Sequence, residues 1–482
     1  MAIQSPGTRA AEIRRQVGHP IVDGDGHILE FMPTLQEYIR EELGPSLMSR
    51  YDQLKREWFG SRTPAERRDH RIGQGPWLPL APASQTRDLA TGYLPQLLAE
   101  RLDELGLDFT VLYGSAALEF GRIPDQEIRQ GICRATNRYW AEFYGAYPDR
   151  MTPAAIVPMH TPAEALAELD HVRDLGLKAV MIPSGVMRPI PAIHRQYPEL
   201  FPRVHWLDTY GLDSEYDYDP VWARCQELGF AVTFHGGQPM ATDVMTSRSI
   251  TNYMYNHIGS PAFLMHQVCK SIFMGGVTRR FPNLTFGFLE CGVAWACQLL
   301  ADIEEHWEKR NTEAMAKRDM ERLDREAFRR LHEDFGGVLT EGKLDEQWLR
   351  RITHTPAPED RDEWRHTGIR DEHEIADLFV RTFYFGCEAD DRTAAFAFSP
   401  ANAFGATLQA MLSSDIGHWD VMDMQEVIPD SYSLVEKGIF TPEMFRKFTF
   451  EHPVALHQRM NPRFFEGTRF AAEAARVTAH PA

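Results

Sequence analysis

The chain has 482 residues, 43% hydrophobic and 25% charged, the balance of a soluble globular protein with a large core. A formal net charge of -18 argues against nucleic acid or an anionic membrane as partner, since either needs a basic face. Length allows one large α/β domain or a few smaller ones.

Met1 to His19 is polar, carries Arg9, Arg14 and Arg15, and lacks an apolar run; it predicts an N-terminal segment over 1–20 and no signal peptide. Short β-branched or aromatic runs then alternate with helical stretches. The strands are expected at Ile21–His27, Asp108–Tyr113, Thr152–Pro158, Leu177–Ile182, Phe230–His235, Leu284–Glu290, Thr382–Cys387 and Thr407–Ser414. Tyr93–Leu105, Ala163–Leu175 and Pro220–Leu228 read as helices, the second closed by Gly176. Strand then helix, eight times over, predicts an α/β chain of parallel units closing into a (β/α)8 TIM barrel over 21–468. A doubly wound open sheet is the alternative, but no GxGxxG follows the first strand.

Two long insertions exceed a minimal barrel. One runs from about 44 to 88, with Trp58 and Trp77; the other runs from about 301 to 378 and opens on a charged run holding Trp307, Leu323, Phe328 and Leu331 at helical spacing. The second reads as a solvated amphipathic helix pair, or else as a cover for the barrel mouth or a subunit contact. Ser431–Thr468 is expected to be helices on the barrel exterior, and 469–482 a loose tail. No stretch approaches the ~20 apolar residues of a membrane helix. Six scattered cysteines, none in CxxC spacing, predict neither disulfides nor a structural zinc site, and a cytoplasmic setting.

The chemistry gathers at strand ends, which converge on one mouth in a barrel. Asp23-Gly-Asp25-Gly-His27 places three polar side chains on one strand face. A carboxylate and an imidazole two residues apart can grip one divalent metal; a buried Asp/His hydrogen-bonded pair is the other reading. The fifth strand ends in His235 before Gly236-Gly237, the sixth in Glu290, and the eighth runs into Asp415 within Ser413-Ser414-Asp415-Ile416-Gly417-His418. Burying that many acids without a cation is costly. Mixed nitrogen and oxygen donors suit zinc, manganese or iron(II).

The ordered set of Asp23–Glu30, Phe234-His235-Gly236-Gly237, Phe286–Trp295 and Ser414–Trp419, together with Asn137-Arg138-Tyr139, Tyr147–Arg150 and Asn461–Phe465, resembles the amidohydrolase superfamily. The similar branch is amidohydrolase-2, which includes aminocarboxymuconate-semialdehyde decarboxylase and the resorcylate-type decarboxylases. The resemblance spans about Ile21 to Thr468 and fades across the insertions. It implies a barrel with one divalent metal, zinc foremost and manganese or iron next, held by Asp25, His27, His235 and Asp415, with Asp415 also handling protons. At the sixth strand many relatives have a histidine that activates water, whereas this chain has Glu290. That carboxylate could be a base, a ligand or an orienting group, and His257 or His266 could supply an imidazole.

Two reactions share such a site: hydrolysis of a cyclic or aromatic substrate at a C–N or C–C bond, and non-oxidative decarboxylation of a hydroxylated aromatic or muconate-type acid. Hydrolysis is the leading expectation. A barrel that has lost catalysis and serves as a scaffold is the third reading. Arg188, Trp295, His418 and Trp419 are candidates for contact with a small-molecule substrate, against the alternative that the tryptophans only pack. Asp23, Glu30 and His266 are expected behind the ligands. A homodimer is expected from the acidic surface and the insertions.

Overall fold

The computed structural model describes residues 7–58, 62–75, 84–235, 248–345, 347–348, 351, 357–418 and 420–479. Eight parallel strands form one sheet in the order β1 (Val22–Ile28), β2 (Phe109–Gly114), β3 (Met151–Ile156), β4 (Ala179–Pro183), β5 (Val232–His235), β6 (Phe286–Phe288), β7 (Phe383–Cys387) and β8 (Gln409–Leu412). Each expected strand is present within a few residues of its predicted bounds. Outward positions such as Phe234, Phe286 and Phe288 stack on one another, the rings of Phe234 and Phe288 at 5.2 Å and 6°. Inward positions alternate with them: Tyr113 on β2 donates to Thr233 on β5 at 3.1 Å, a contact across the barrel interior.

The barrel closes between β1 and the segment after β8. Asp415 N donates to Asp25 O at 2.8 Å and His27 N to Ile416 O at 2.7 Å. Gly24 permits the approach, because a Cβ there would lie 3.2 Å from Leu412 O. The β1–β2 register shifts between Asp23 and Gly26. The architecture is a (β/α)8 barrel, and its strand ends meet at one mouth.

Local chemistry sets the helix ends. The helix Pro162–Asp174 begins where Thr161 Oγ1 accepts from Glu164 N at 3.2 Å with Pro162 at its first position, and Gly176 at φ 75° ends it. In the first insertion, Met32–Trp58 is broken at Gly44 (φ 65°) with Pro45 behind it. Trp77, like Gly236 and Gly237, lies outside the described residues, as does the Trp58 side chain. In the second insertion, Trp307 is buried edge-on against Trp364 at 5.1 Å, while the helix Arg325–Phe335 buries none of its residues.

The loose tail expected after Arg469 is instead anchored. Arg469 Nε donates to Asp108 at 2.6 Å, Phe470 is buried against Phe109 and Phe450, and Ala471–Ala479 is a helix. Asp108 also binds Arg14 of the N-terminal helix Arg9–Val17 and Ile21 N, so one buried carboxylate ties both chain ends to the start of β2. All six cysteines are free thiols. Among the described residues no helix is long and apolar enough to cross a membrane.

Candidate metal centre

Asp25 and His27 project from β1 into the mouth, His235 from the end of β5, and Asp415 from just beyond β8. The metal-ligating atoms of Asp25, His27 and His235 all lie within 4.8 Å of one another, and all three residues are buried. His235 Nε2 is 3.2 Å from Asp25 Oδ1, and His27 Nε2 is 2.9 Å from Asp415 Oδ1. Neither Asp25 oxygen, nor His27 Nε2, nor Asp415 Oδ1 makes a hydrogen bond to the described residues. Buried polar atoms are rarely left so. A divalent cation among Asp25, His27 and His235 would give these atoms a partner, with Asp415 beside His27, so this donor set fits the metal that the sequence implies.

The surroundings prepare the ligands. Burial, with His418 and His235 nearby, pushes the His27 imidazole well below the usual histidine range, so it is neutral with a lone pair to offer. Ser115 Oγ lies 3.3 Å from His27 Nδ1 and can accept a hydrogen bond from Nδ1–H, a tautomer that would leave the Nε2 lone pair free for a metal. Burial raises the Asp25 carboxyl, and His235 partly offsets this. Burial also raises Asp415 well above its ordinary value; Asp420 adds to the shift and His418 opposes it. His418 is lowered by burial, yet Asp415 and Asp420 overcome this and hold it well above the histidine range.

Two strand ends carry strain. Glu290 (φ 52°) and Asp415 (φ 53°) both adopt the left-handed region, uncommon for residues other than glycine. These turns lead the chain away from the strand and leave each carboxylate in the mouth. Glu290 Oε2 lies 3.7 Å from His235 Nδ1 and Oε1 lies 3.6 Å from His257 Nε2.

The sequence profile of a family described as amidohydrolase matches residues 22–337, well over half of the chain. The chain belongs to the amidohydrolase family. Members are metal-dependent hydrolases or carboxy-lyases, so this amidohydrolase is an enzyme. No curated protein matches it. Among solved structures, an amidohydrolase from Mycobacterium avium subsp. paratuberculosis K-10 is 16% identical, with a TM-score of 0.52 over 91% of this chain and 99% of that one. A dihydroxybenzoic acid decarboxylase from Polaromonas sp. JS666, with bound manganese and 2-nitroresorcinol, is 14% identical, with a TM-score of 0.48 over 93% of this chain and 99% of that one. A 5-carboxyvanillate decarboxylase from Novosphingobium aromaticivorans DSM 12444, complexed with manganese, is 14% identical, with a TM-score of 0.46 over 93% of this chain and 97% of that one. At these identities the likeness concerns the fold alone.

The other expected residues of this amidohydrolase divide. His257 reaches the cluster through Glu290, and His418 stacks on His27 at 4.5 Å. Asp23 stands behind the ligands as a bolt: its carboxylate accepts from Asp25 N, Ser414 N, Thr110 Oγ1 and Ser414 Oγ. Burial raises it to about 6 despite those four donors. Glu30, raised by burial to about 7, accepts from Ala116 N and Ala117 N and so fixes the loop that presents Ser115.

Arg188 stands apart from the cluster. It lies in the antiparallel hairpin Val186–Pro189/His205–Asp208, where its guanidinium donates to Asp208, His160 O and Tyr218 OH. Those bonds hold the hairpin and occupy the fork that a substrate carboxylate would need. Trp295 packs against Phe385 at 5.4 Å and His266 at 5.9 Å, and neither Trp295 nor His266 is among the close ligand-type groups of the described residues. Trp419 lies outside the described residues. Sequence reading missed Asp420, whose Oδ1 is 3.3 Å from His418 Nδ1, and Ser115. The available signals were an acid two residues past His418 and a hydroxyl just past β2.

Proposed function

We propose that this amidohydrolase is a metal-dependent hydrolase of a small cyclic or aromatic substrate, cleaving a C–N or C–C bond with water. The observation that carries the reading is the close set of Asp25, His27 and His235, with Asp415 Oδ1 2.9 Å from His27 Nε2; among the described residues both Asp25 oxygens, His27 Nε2 and Asp415 Oδ1 make no hydrogen bond. Two nitrogen and two carboxylate donors suit zinc first, then manganese or iron(II). Such an ion supplies a Lewis acid that polarises a substrate carbonyl and acidifies water.

The chain's own groups then move the proton. Asp415 offers Oδ1 toward His27 and Oδ2 toward His418 Nδ1 at 3.1 Å, so His418 fixes the carboxylate while it takes a proton from water and returns it to the leaving atom. Glu290 stands between His235 and His257 and orients both imidazoles. Tyr253, whose ring is 5.3 Å from that of His257, gives the rim an aromatic surface that suits a flat substrate.

The test is a panel of aryl amides, cyclic amides and hydroxylated aromatic acids, with released amine and carbon dioxide followed separately and metal content measured in parallel. Amine or ring-opened product is expected. Carbon dioxide without hydrolysis would move the chain to the carboxy-lyases. Turnover at full rate after complete removal of metal would overturn metal dependence.

A further inference from the structure

The second insertion is fastened at its base and bare at its tip. At the base Trp307 is buried against Trp364, Arg310 donates to Glu363 at 2.5 and 2.8 Å, and Arg361 donates to Asp319 at 3.1 Å. At the tip, Asp324 caps the helix Arg325–Phe335 by accepting from Ala327 N at 2.9 Å, yet none of the 11 helix residues is buried. Phe328, Leu331 and Phe335 recur at helical spacing as one apolar stripe, and the turn Gly337–Leu339 adds Val338 and Leu339. Leu331 is 56% exposed, Phe335 82%, Val338 85% and Leu339 76%. Trp348 stacks on Phe328 at 6.1 Å and 16°. An exposed apolar stripe of this kind marks a site of association. A helix this short is also marginal in water without something to pack against.

We propose that this stripe is the contact between two copies of the chain, packed as an antiparallel helix pair about a two-fold axis beside Leu331.

Charge along the helix selects that occupant and that direction. Arg325, Arg329 and Arg330 stand toward its start and Glu333 and Asp334 toward its end, all exposed. Glu326 is the exception, and it lies 3.9 Å from Arg330 of its own helix. In an antiparallel pair centred between Leu331 and His332, Phe328 lies opposite the partner's Phe335, and Leu331 beside the partner's Leu331. Arg329 then faces the partner's Glu333, and Arg330 the partner's Asp334, along the flanks of the stripe. A parallel pair in register would set arginine against arginine and acid against acid. Antiparallel packing also opposes the two helix dipoles.

The experiment is sedimentation velocity on the full chain at micromolar concentrations, with near-ultraviolet circular dichroism to follow the fold. Wild type is expected to be a dimer. Leu331→Asp puts a charge on the axis at an exposed position, and is expected to give a monomer with unchanged circular dichroism. Arg329→Glu with Arg330→Glu is expected to raise the dimer dissociation constant ~10-fold or more. Adding Glu333→Arg and Asp334→Arg to that variant is expected to restore it. A wild-type monomer throughout the range overturns the contact, and a loss of urea stability in Leu331→Asp would then assign the stripe to a cover from within the chain. A dimer unchanged in Leu331→Asp overturns it as well and places the interface elsewhere. A quadruple variant that stays as weak as the double one overturns the antiparallel pairing. No arm of the experiment depends on a metal, so this contact and the metal centre stand or fall separately.

Discussion

The Asp23 carboxylate accepts two hydrogen bonds from Ser414, one from the backbone N at 2.9 Å and one from Oγ at 2.7 Å. It joins the first strand to the segment that follows the last and so closes the barrel at the point where Asp25 and Asp415 must meet.

Removing that link should destabilise the fold. Asp23→Ala leaves the buried donors of Ser414, Thr110 and Asp25 without an acceptor, at roughly 1–3 kcal/mol for each left unsatisfied. Urea unfolding is expected to show a loss of at least about 3 kcal/mol, with Asp23→Asn milder because its amide keeps one oxygen acceptor. A change under about 1 kcal/mol for Asp23→Ala would show that the seam holds without it.

Ser115 should act on metal affinity through His27. Ser115→Ala removes the group facing His27 Nδ1, and loss of such an outer partner costs ~10–100-fold in affinity. Competition with a chromogenic chelator reads this directly. Wild-type affinity in the variant would assign the tautomer of His27 to some other contact.

Asp415→Asn should keep the fold and lose turnover. Asparagine tolerates the left-handed backbone at φ 53° and has the same shape, but it cannot take a proton, so kcat is expected to fall by ~10²–10⁴-fold. Near-ultraviolet circular dichroism should match wild type. Turnover within a few-fold of wild type would remove Asp415 from proton transfer.

Acid should unfold the protein partly through His457. Its ring stacks on Phe464 at 4.4 Å, neither nitrogen is hydrogen-bonded among the described residues, and burial, aided by Lys178, lowers it to about 3. The unfolded value is about 6.5. The native state therefore binds fewer protons than the unfolded state between these values, and stability falls as pH drops from about 6.5 toward 3. His457→Leu should move the midpoint of acid unfolding to lower pH, with His19 and His452, each lowered to about 4, limiting the gain. An unchanged midpoint would show that other groups dominate acid unfolding.

The sequence by itself determined the barrel, because eight apolar strand runs and their helices are local patterns of period and cap. It also determined the strand-end set: alternation along β1 puts Asp25 and His27 on one face, and His235, Glu290 and Asp415 each stand where a strand stops. What alternation cannot tell is how far a side chain on the shared face sits from the mouth, so only the tertiary structure separates Asp23, bound by four donors, from Asp25, whose carboxylate has none among the described residues. Arg188, Trp295 and His266 were placed by nearness in sequence to strand ends, whereas a hairpin and a helix carry them to partners of their own. Asp420 enters because the chain turns sharply at Asp415 and the Asp420 carboxylate comes to 3.3 Å from His418 Nδ1. Such a turn is set by hydrogen bonds to the first strand, from the far end of the sequence, and no local pattern near Asp420 records it.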